Sequence, residues 1–343
     1  MSDPMDYSVG WICTSSYDYA AAPVLLDKVH PKPSYISRAD NNHYTLGRMG
    51  QHNVVITVLP TNGPDCVPAA HVATSMQRSF PNIKFGLVVG TAGGAPNNKH
   101  DIRLGDVVIG APLDGDSGVF QYDFGKAHQV GEFEHTKVIN PPPMILQRGH
   151  RLEESIEVIL NQYLDLQMEY KRPGRDSDLL YLSHVAHPFE DRSSCVESCG
   201  RDQSNLVPRR KRSKKHIRHI HFGLIASGNT ICRDAKFRDK YSASKGVLCF
   251  ENAAAGIANC LPCLVVFGIS NYADTHANKE WEGYTAMVAA AYAKDLLRYA
   301  PLANARALET LQPVMYSLSS KTKYVGGSTT LICLYSFNIS VNS

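Results

Sequence analysis

Residues 85–96 read FGLVVGTAGGAP, an apolar strand that runs straight into a glycine-rich turn. A strand this uniformly apolar is buried on both faces, the pattern of a parallel or mixed sheet covered by helices. Gly93 and Gly94 at its carboxyl end let backbone amides approach an anion or a small ligand closely, at the edge where open α/β sheets bind ligands. A tight turn with no ligand accounts for two glycines equally well, so the segment takes its meaning from its neighbours.

Similar short runs recur on both sides: VGWIC (9–13), NVVITVLP (53–60), GDVVIG (105–110), FGLIAS (222–227), GVLCF (246–250) and CLVVFGIS (263–270). Helix-length segments fall between and after them at 67–79, 142–164, 252–260 and 282–298, the last with apolar residues at helical spacing through MVAAAYAKDLL. The alternation predicts an α/β fold, a single domain over 1–300 with a central mixed sheet flanked by helices. Residues 301–343 read as a C-terminal tail in which TTLICLYSF is a candidate edge strand.

Between Tyr170 and His219 the composition shifts to Pro, Arg, Asp and Ser and ends in RRKRSKKHIRHIH, the mark of a surface insertion. The basic run reads as a solvated loop, with a nuclear address or a nucleic-acid patch as the alternatives. His187, Cys195 and Cys199 make half of a metal set, whereas zinc needs four organised ligands. No metal is expected.

The 343 residues carry a net charge of +3, with 43% hydrophobic and 20% charged residues, an ordinary globular balance that points to no nucleic-acid partner. The longest apolar runs, such as LPCLVVFGI, are too short to span a bilayer. Nine cysteines, several of them in apolar strands (Cys13, Cys249, Cys263, Cys333), suit reduced core thiols. The acidic first residues lack a secretory pattern, and a cytoplasmic protein is the expectation. The glycine turn lacks the spacing and downstream acid of a dinucleotide site, so no cofactor is expected.

Taken in order, VGTAGGAP with DIRLGDVVI, then FGLIASGN, GVLCFENAAAG and LVVFGISNYADTH, resemble the purine and uridine phosphorylase family and its nucleosidase branch, nearest to the phosphorylase-like domains of filamentous fungi. VGWICTSSYDYAAA, YTLGRMGQHNVVI, YDFGK and GYTAMVAAAYAKDLL extend the likeness over about residues 7–300. The resemblance implies a mixed sheet curling toward a barrel, a nucleoside pocket at the carboxyl ends of its strands, and N-glycosidic cleavage by phosphate or water. It also implies a homo-oligomer in which a neighbour completes the pocket. In that family an aspartate helps the purine leave, a glutamate after a methionine grips the ribose, an arginine on the last strand orients the aspartate, and nucleosidases add an N-terminal glutamate for the attacking water.

Here the family's Glu-Met-Glu-Ala-Ala-Gly turn is Glu251, Asn252, Ala253, Ala254, Ala255, Gly256, and its Arg-Gly-Ile-Cys-Asp strand is Phe267, Gly268, Ile269, Ser270, Asn271. The ribose acid has become alanine, the leaving-group acid an amide and the arginine a phenyl ring. Asp18 keeps the N-terminal acid in shortened form. Loss of a general acid removes roughly 10²- to 10⁴-fold in rate. The sequence therefore favours a repurposed enzyme of cyclase or lyase type, working by cyclisation or elimination on a less polar secondary metabolite. An active purine nucleosidase or phosphorylase with a rearranged acid and a non-catalytic ligand-binding module are the alternatives. The candidate catalytic residues are Asn271, Ser270, Asp18 and Asp274. Thr91, Ala92, Gly93, Ile231, Cys232, Glu251, Asn252, Ala253, Phe267 and Tyr17 are the candidate substrate-binding residues, the expected partner being a small molecule.

Overall fold

The structure, a computed structural model, describes residues 1–60, 66–112, 117–129, 133–135, 139, 167–191, 193–212, 218–276 and 279–300. The helix expected at 142–164, the tail from 301 and its candidate strand lie outside the described residues. Among those described, the strands are β1 (Val9–Cys13), β2 (Lys28–Val29), β3 (Thr45–Met49), β4 (His52–Val58), β5 (Phe85–Gly94), β6 (Val107–Gly110), β7 (Val119–Gln121), β8 (Gly125–Lys126), β9 (Glu134–His135), β10 (Ile220–Ser227), β11 (Val247–Glu251) and β12 (Cys263–Asn271). The helices are α1 (Ser16–Val24), α2 (Cys66–Ser79), α3 (Ala235–Lys245), α4 (Ala254–Ala258) and α5 (Glu280–Tyr299), with single turns at Gln167–Tyr170 and Cys195–Ser198.

One mixed sheet runs β11-β10-β6-β12-β5-β1-β4-β3-β2. β5 is parallel to both β1 and β12, and β12 is antiparallel to β6. β11 then returns antiparallel to β5, pairing Cys249 with Gly94 and Phe250 with Gly93. That last pairing closes five strands on themselves, so the sheet is partly barrel-like. Val88, Val89, Val265, Val266 and Ile269 are fully or nearly fully buried, as strands covered on both sides require. α5 lies along β12 and β5, and Gly268 makes that close approach possible: a Cβ there would meet the Thr285 carbonyl oxygen at 2.2 Å.

Two sequence expectations change. The TAGG segment is not a turn, because β5 continues through Gly94, held by β12 on one side and β11 on the other. Nor is the start of the basic run a solvated loop. Arg212 reaches the fully buried Asp106 at 2.5 and 2.8 Å, and His221 and the His219 amide bond the same carboxylate at 2.9 Å. Burial alone would raise the Asp106 pKa, but hydrogen bonds from His221 and Arg212 hold it below the usual carboxylate range. Arg209 bonds Tyr272 Oη at 2.7 Å and Asp178 Oδ1 at 3.1 Å. The insertion is thereby fastened to Tyr272, the residue immediately after β12.

Glycine also sets how α4 packs. A Cβ on Gly256 would stand 1.9 Å from the Cys66 carbonyl oxygen at the start of α2, whereas one on Gly174 would meet nothing within 4 Å. Gly256→Ala must push backbone from backbone, and a loss of about 1 to 3 kcal/mol in urea unfolding is expected. Gly174→Ala is the matched control and is expected to leave the unfolding midpoint in place.

Candidate active site

β5 and β12 lie side by side with Phe267 opposite Gly90 and Asn271 opposite Gly93, and the register shifts between Ile269 and Asn271. Ser270 is the extra residue of that bulge, which turns the strand end and aims the next side chain. Gly93 gives Asn271 its place, since a Cβ there would come within 2.7 Å of the Asn271 Oδ1. That oxygen accepts the Ala273 amide at 2.9 Å, and Asn271 Nδ2 donates to Ser270 Oγ at 3.3 Å. The carbonyl side of Asn271 is therefore occupied within the turn and one Nδ2–H is given to Ser270, so the second Nδ2–H is the part available to a ligand.

Over this strand pair opens a cleft of about 590 Å³, part of it open to solvent, lined by Thr14, Thr91, Ala92, Gly93, Ile231, Cys232, Phe250, Glu251, Asn252, Ala253, Phe267, Ser270, Asn271 and Glu282. Eleven residues singled out from the sequence thus meet in one place. Phe267 and Ala253 are both fully buried in its wall.

Glu251 ends β11, and its side chain is 95% hidden. Its Oε2 accepts the Ala253 and Ala254 amides at 2.7 and 3.0 Å, while Ser227 Oγ accepts the Ala255 amide at 2.9 Å. The unsatisfied amides that begin any helix are met here by side chains outside α4, whose own cap position is an alanine. Oε1 of Glu251 has no hydrogen-bond partner. Burial raises the pKa of this carboxyl, outweighing the hydrogen bonds that oppose the rise.

Asp18 sits behind the wall rather than on it. It is 1% exposed, and its Oδ2 accepts the hydroxyls of Thr14 at 2.9 Å and Ser15 at 2.7 Å. Thr14 itself lines the cleft and packs over Gly90, where a Cβ would meet its Oγ1 at 1.9 Å. Burial pushes the Asp18 pKa up to about 6, the neighbouring Glu282 adding to the rise and the two hydroxyls opposing it.

This shift has a definite sign. Folded Asp18 holds its proton to higher pH than the unfolded chain does, so between about pH 4 and 6 the folded state binds more protons and stability falls as pH rises. Asp18→Asn is therefore expected to raise Tm relative to the parent at pH 8 and to lose that gain at pH 4. A Tm difference independent of pH would contradict it.

Two other candidates lie off the cleft. Asp274 accepts the His276 amide at 2.8 Å and lies 3.4 Å from Arg238 Nη1, which also donates to the Tyr272 carbonyl at 2.8 Å. Three residues beyond the strand end its side chain has turned to that arginine, a structural anchor. Tyr17 is 36% exposed, and its carbonyl accepts the Tyr170 hydroxyl at 3.0 Å. In the insertion, Cys199 Sγ lies 3.4 Å from His187 Nδ1, and among the described residues no third ligand joins them to hold a metal.

Sequence reasoning missed Thr14, Phe250 and Glu282 on the wall. Phe250 directly precedes the Glu251 turn and was readable from it. Glu282 is different: it sits in the first turn of α5, and only the packing of that helix on β12 at Gly268 brings it to the cleft. Burial raises its pKa as well.

A partly closed mixed sheet with a cleft across the carboxyl ends of two parallel strands is the nucleoside phosphorylase and nucleosidase type of fold. The 5′-methylthioadenosine/S-adenosylhomocysteine nucleosidase of Streptococcus pneumoniae, solved in complex with 8-aminoadenine, superposes with a TM-score of 0.52 at 16% identity, covering 85% of this chain and 99% of that one. The structure of the S. pneumoniae nucleosidase with a transition-state inhibitor gives a TM-score of 0.50 at 17% identity over the same shares. At such identities the likeness is one of fold. A nucleotide-binding leucine-rich repeat (NLR)-like protein of Hyaloscypha variabilis is 39% identical over 303 residues, which is 86% of this chain and 29% of that relative. The chain thus spans less than a third of the curated relative it matches, and no protein-family model matches it. No helix among the described residues is long and apolar enough to cross a membrane.

Proposed function

We propose that the cleft takes a neutral, hydroxyl-bearing ligand of nucleoside type and breaks its N-glycosidic bond with water, without phosphate. One observation carries this reading: two carboxyl groups, Glu251 and Glu282, line the cleft, and among the described lining residues there is no Lys, Arg or His. A phosphate nucleophile needs donors of positive charge, and here it would meet Glu282, the group that must be ionised to act as base, with no described cation beside it. Water meets no such barrier.

The step balances on groups already in place. The bond from the anomeric carbon to the base nitrogen breaks, and a water oxygen bonds to that carbon. Glu251, whose burial favours the protonated form, gives its proton to the departing base, while Glu282 takes one from the water; a proton transfer through solvent then restores both. The Nδ2–H of Asn271 that Ser270 leaves free donates to a ring nitrogen of the base and steadies its developing negative charge. Because Glu251 acts as the acid, the rate is expected to fall on the alkaline side, as general-acid catalysis demands.

The less polar metabolite favoured by the sequence fits this wall poorly. Glu251, Glu282, Asn271 and Ser270 would lose their water without gaining partners, and each buried unpaired polar group costs about 1 to 3 kcal/mol. A second reading is recognition without turnover. It is favoured by alanine at 253 and amide at 271, where the family resemblance places acids, and by the NLR-like relative, of which this chain matches only a part.

The test is a panel of purine nucleosides incubated with the chain, with and without phosphate, followed by chromatography for free base, beside the Ala253→Glu, Asn271→Asp double variant. Base release by the parent chain at a rate indifferent to phosphate is expected. Release by the double variant alone would move the conclusion to recognition without turnover.

A further inference from the structure

The Thr14 end of the cleft is electrostatically unbalanced. Asp18, 99% buried, keeps its Oδ2 for the Thr14 and Ser15 hydroxyls and leaves Oδ1 with no hydrogen-bond partner. Glu282, on the wall itself, is close enough to add to the rise in the Asp18 pKa. On the same wall Glu251 presents the unpartnered Oε1, also on a residue more than nine-tenths buried. Two carboxyl groups, Glu251 and Glu282, thus line the cleft, a third stands behind Thr14, and no described cation lies on the wall, which is partly enclosed, so that charges act more strongly there than in bulk water.

We infer that this cleft selects an amine-bearing ligand, a nucleoside-type molecule with a protonated amino group on its sugar side, received between Thr14 and Glu282. The inference rests on the nucleoside-type reading above and narrows it. Asn271 and Cys232 both bond Ala273 and, with the exposed Ile231 next to Cys232, make the part suited to a base, with an amide to bond a ring nitrogen and open apolar surface beside it. Thr14, Thr91 and Glu282 form the end suited to hydroxyl and ammonium donors, for which hydroxyl and carboxylate oxygens are acceptors. A cation placed there relieves the repulsion between Glu282 and Asp18, so its binding is favoured twice. An anionic substituent at that position is disfavoured for the same reason.

The test is calorimetric titration of the full chain with adenosine, 5′-amino-5′-deoxyadenosine and adenosine 5′-monophosphate at pH 7, with free base followed separately by chromatography. Charge-assisted hydrogen bonds predict that the amine binds about tenfold or more tightly than adenosine and the monophosphate more weakly than both. Glu282→Gln and Asp18→Asn should each shrink the amine-to-adenosine ratio, with the Tm of each variant reporting that it folds. Equal binding of amine and adenosine alongside base release would overturn this inference and leave the cleavage reading standing. A clear amine preference without any base release would do the reverse. Failure of all three to bind would overturn the inference.

Discussion

Glu251→Gln is expected to lower base release by roughly 10²- to 10⁴-fold while leaving the protein folded. Glutamine keeps the shape of the side chain and a carbonyl oxygen for the Ala253 and Ala254 amides that Oε2 now accepts. What it lacks is a proton that can be given away. A purely structural Glu251 would show the opposite pattern, a fall in Tm with activity per folded molecule intact. Glu251→Ala removes the amide partners too and is expected to lose both activity and stability.

The second large effect is expected at Asp106, which does not line the cleft. It is fully buried and holds Arg212, His221 and the His219 amide, and its Oδ2 also accepts the Arg103 amide at 2.9 Å. Asp106→Ala takes from Arg212 its buried carboxylate, leaving it the exposed Asp101, and leaves the His219 and Arg103 amides without that acceptor; removal of one partner from a buried pair costs about 3 to 5 kcal/mol. The loss should be read as a lower urea midpoint at pH 7. Because the folded pKa of Asp106 is depressed, its contribution is present above the unfolded carboxylate value and is lost as pH falls through the folded one. The gap between parent and Asp106→Ala is therefore expected to narrow in acid.

Most of the sheet was legible because its strands are buried on both faces and so nearly free of polar residues. VGWIC and CLVVFGIS match β1 and the body of β12 almost residue for residue. β3 was missed, since TLGRM carries the exposed Arg48 and a glycine and sits toward the edge of the sheet. α3 was missed for a related reason: AKFRDKYSASK has little apolar periodicity, and its start is fixed by Asp234 capping the Lys236 and Phe237 amides. The TAGG strand was misread because glycine normally signals a turn. Pairing on both sides, with side chains such as Asn271 needing the space, keeps those glycines in the sheet.

In the cleft, residues on a single strand or turn were found from their spacing. Glu282 was not, because its place depends on how α5 crosses β12, which no local pattern records. The basic insertion shows the same limit. Arg209 and Arg212 look like members of a solvated charge run until Asp178 and Asp106, 31 and 106 positions away, supply their partners.

The proposed chemistry is tested most directly by turnover of a purine nucleoside in ¹⁸O-labelled water with unlabelled phosphate present, the sugar product being weighed by mass spectrometry. Label on the anomeric hydroxyl of a free sugar, with no sugar phosphate, is the expected result. A sugar 1-phosphate, or no sugar released at all, would contradict water-driven cleavage in this cleft.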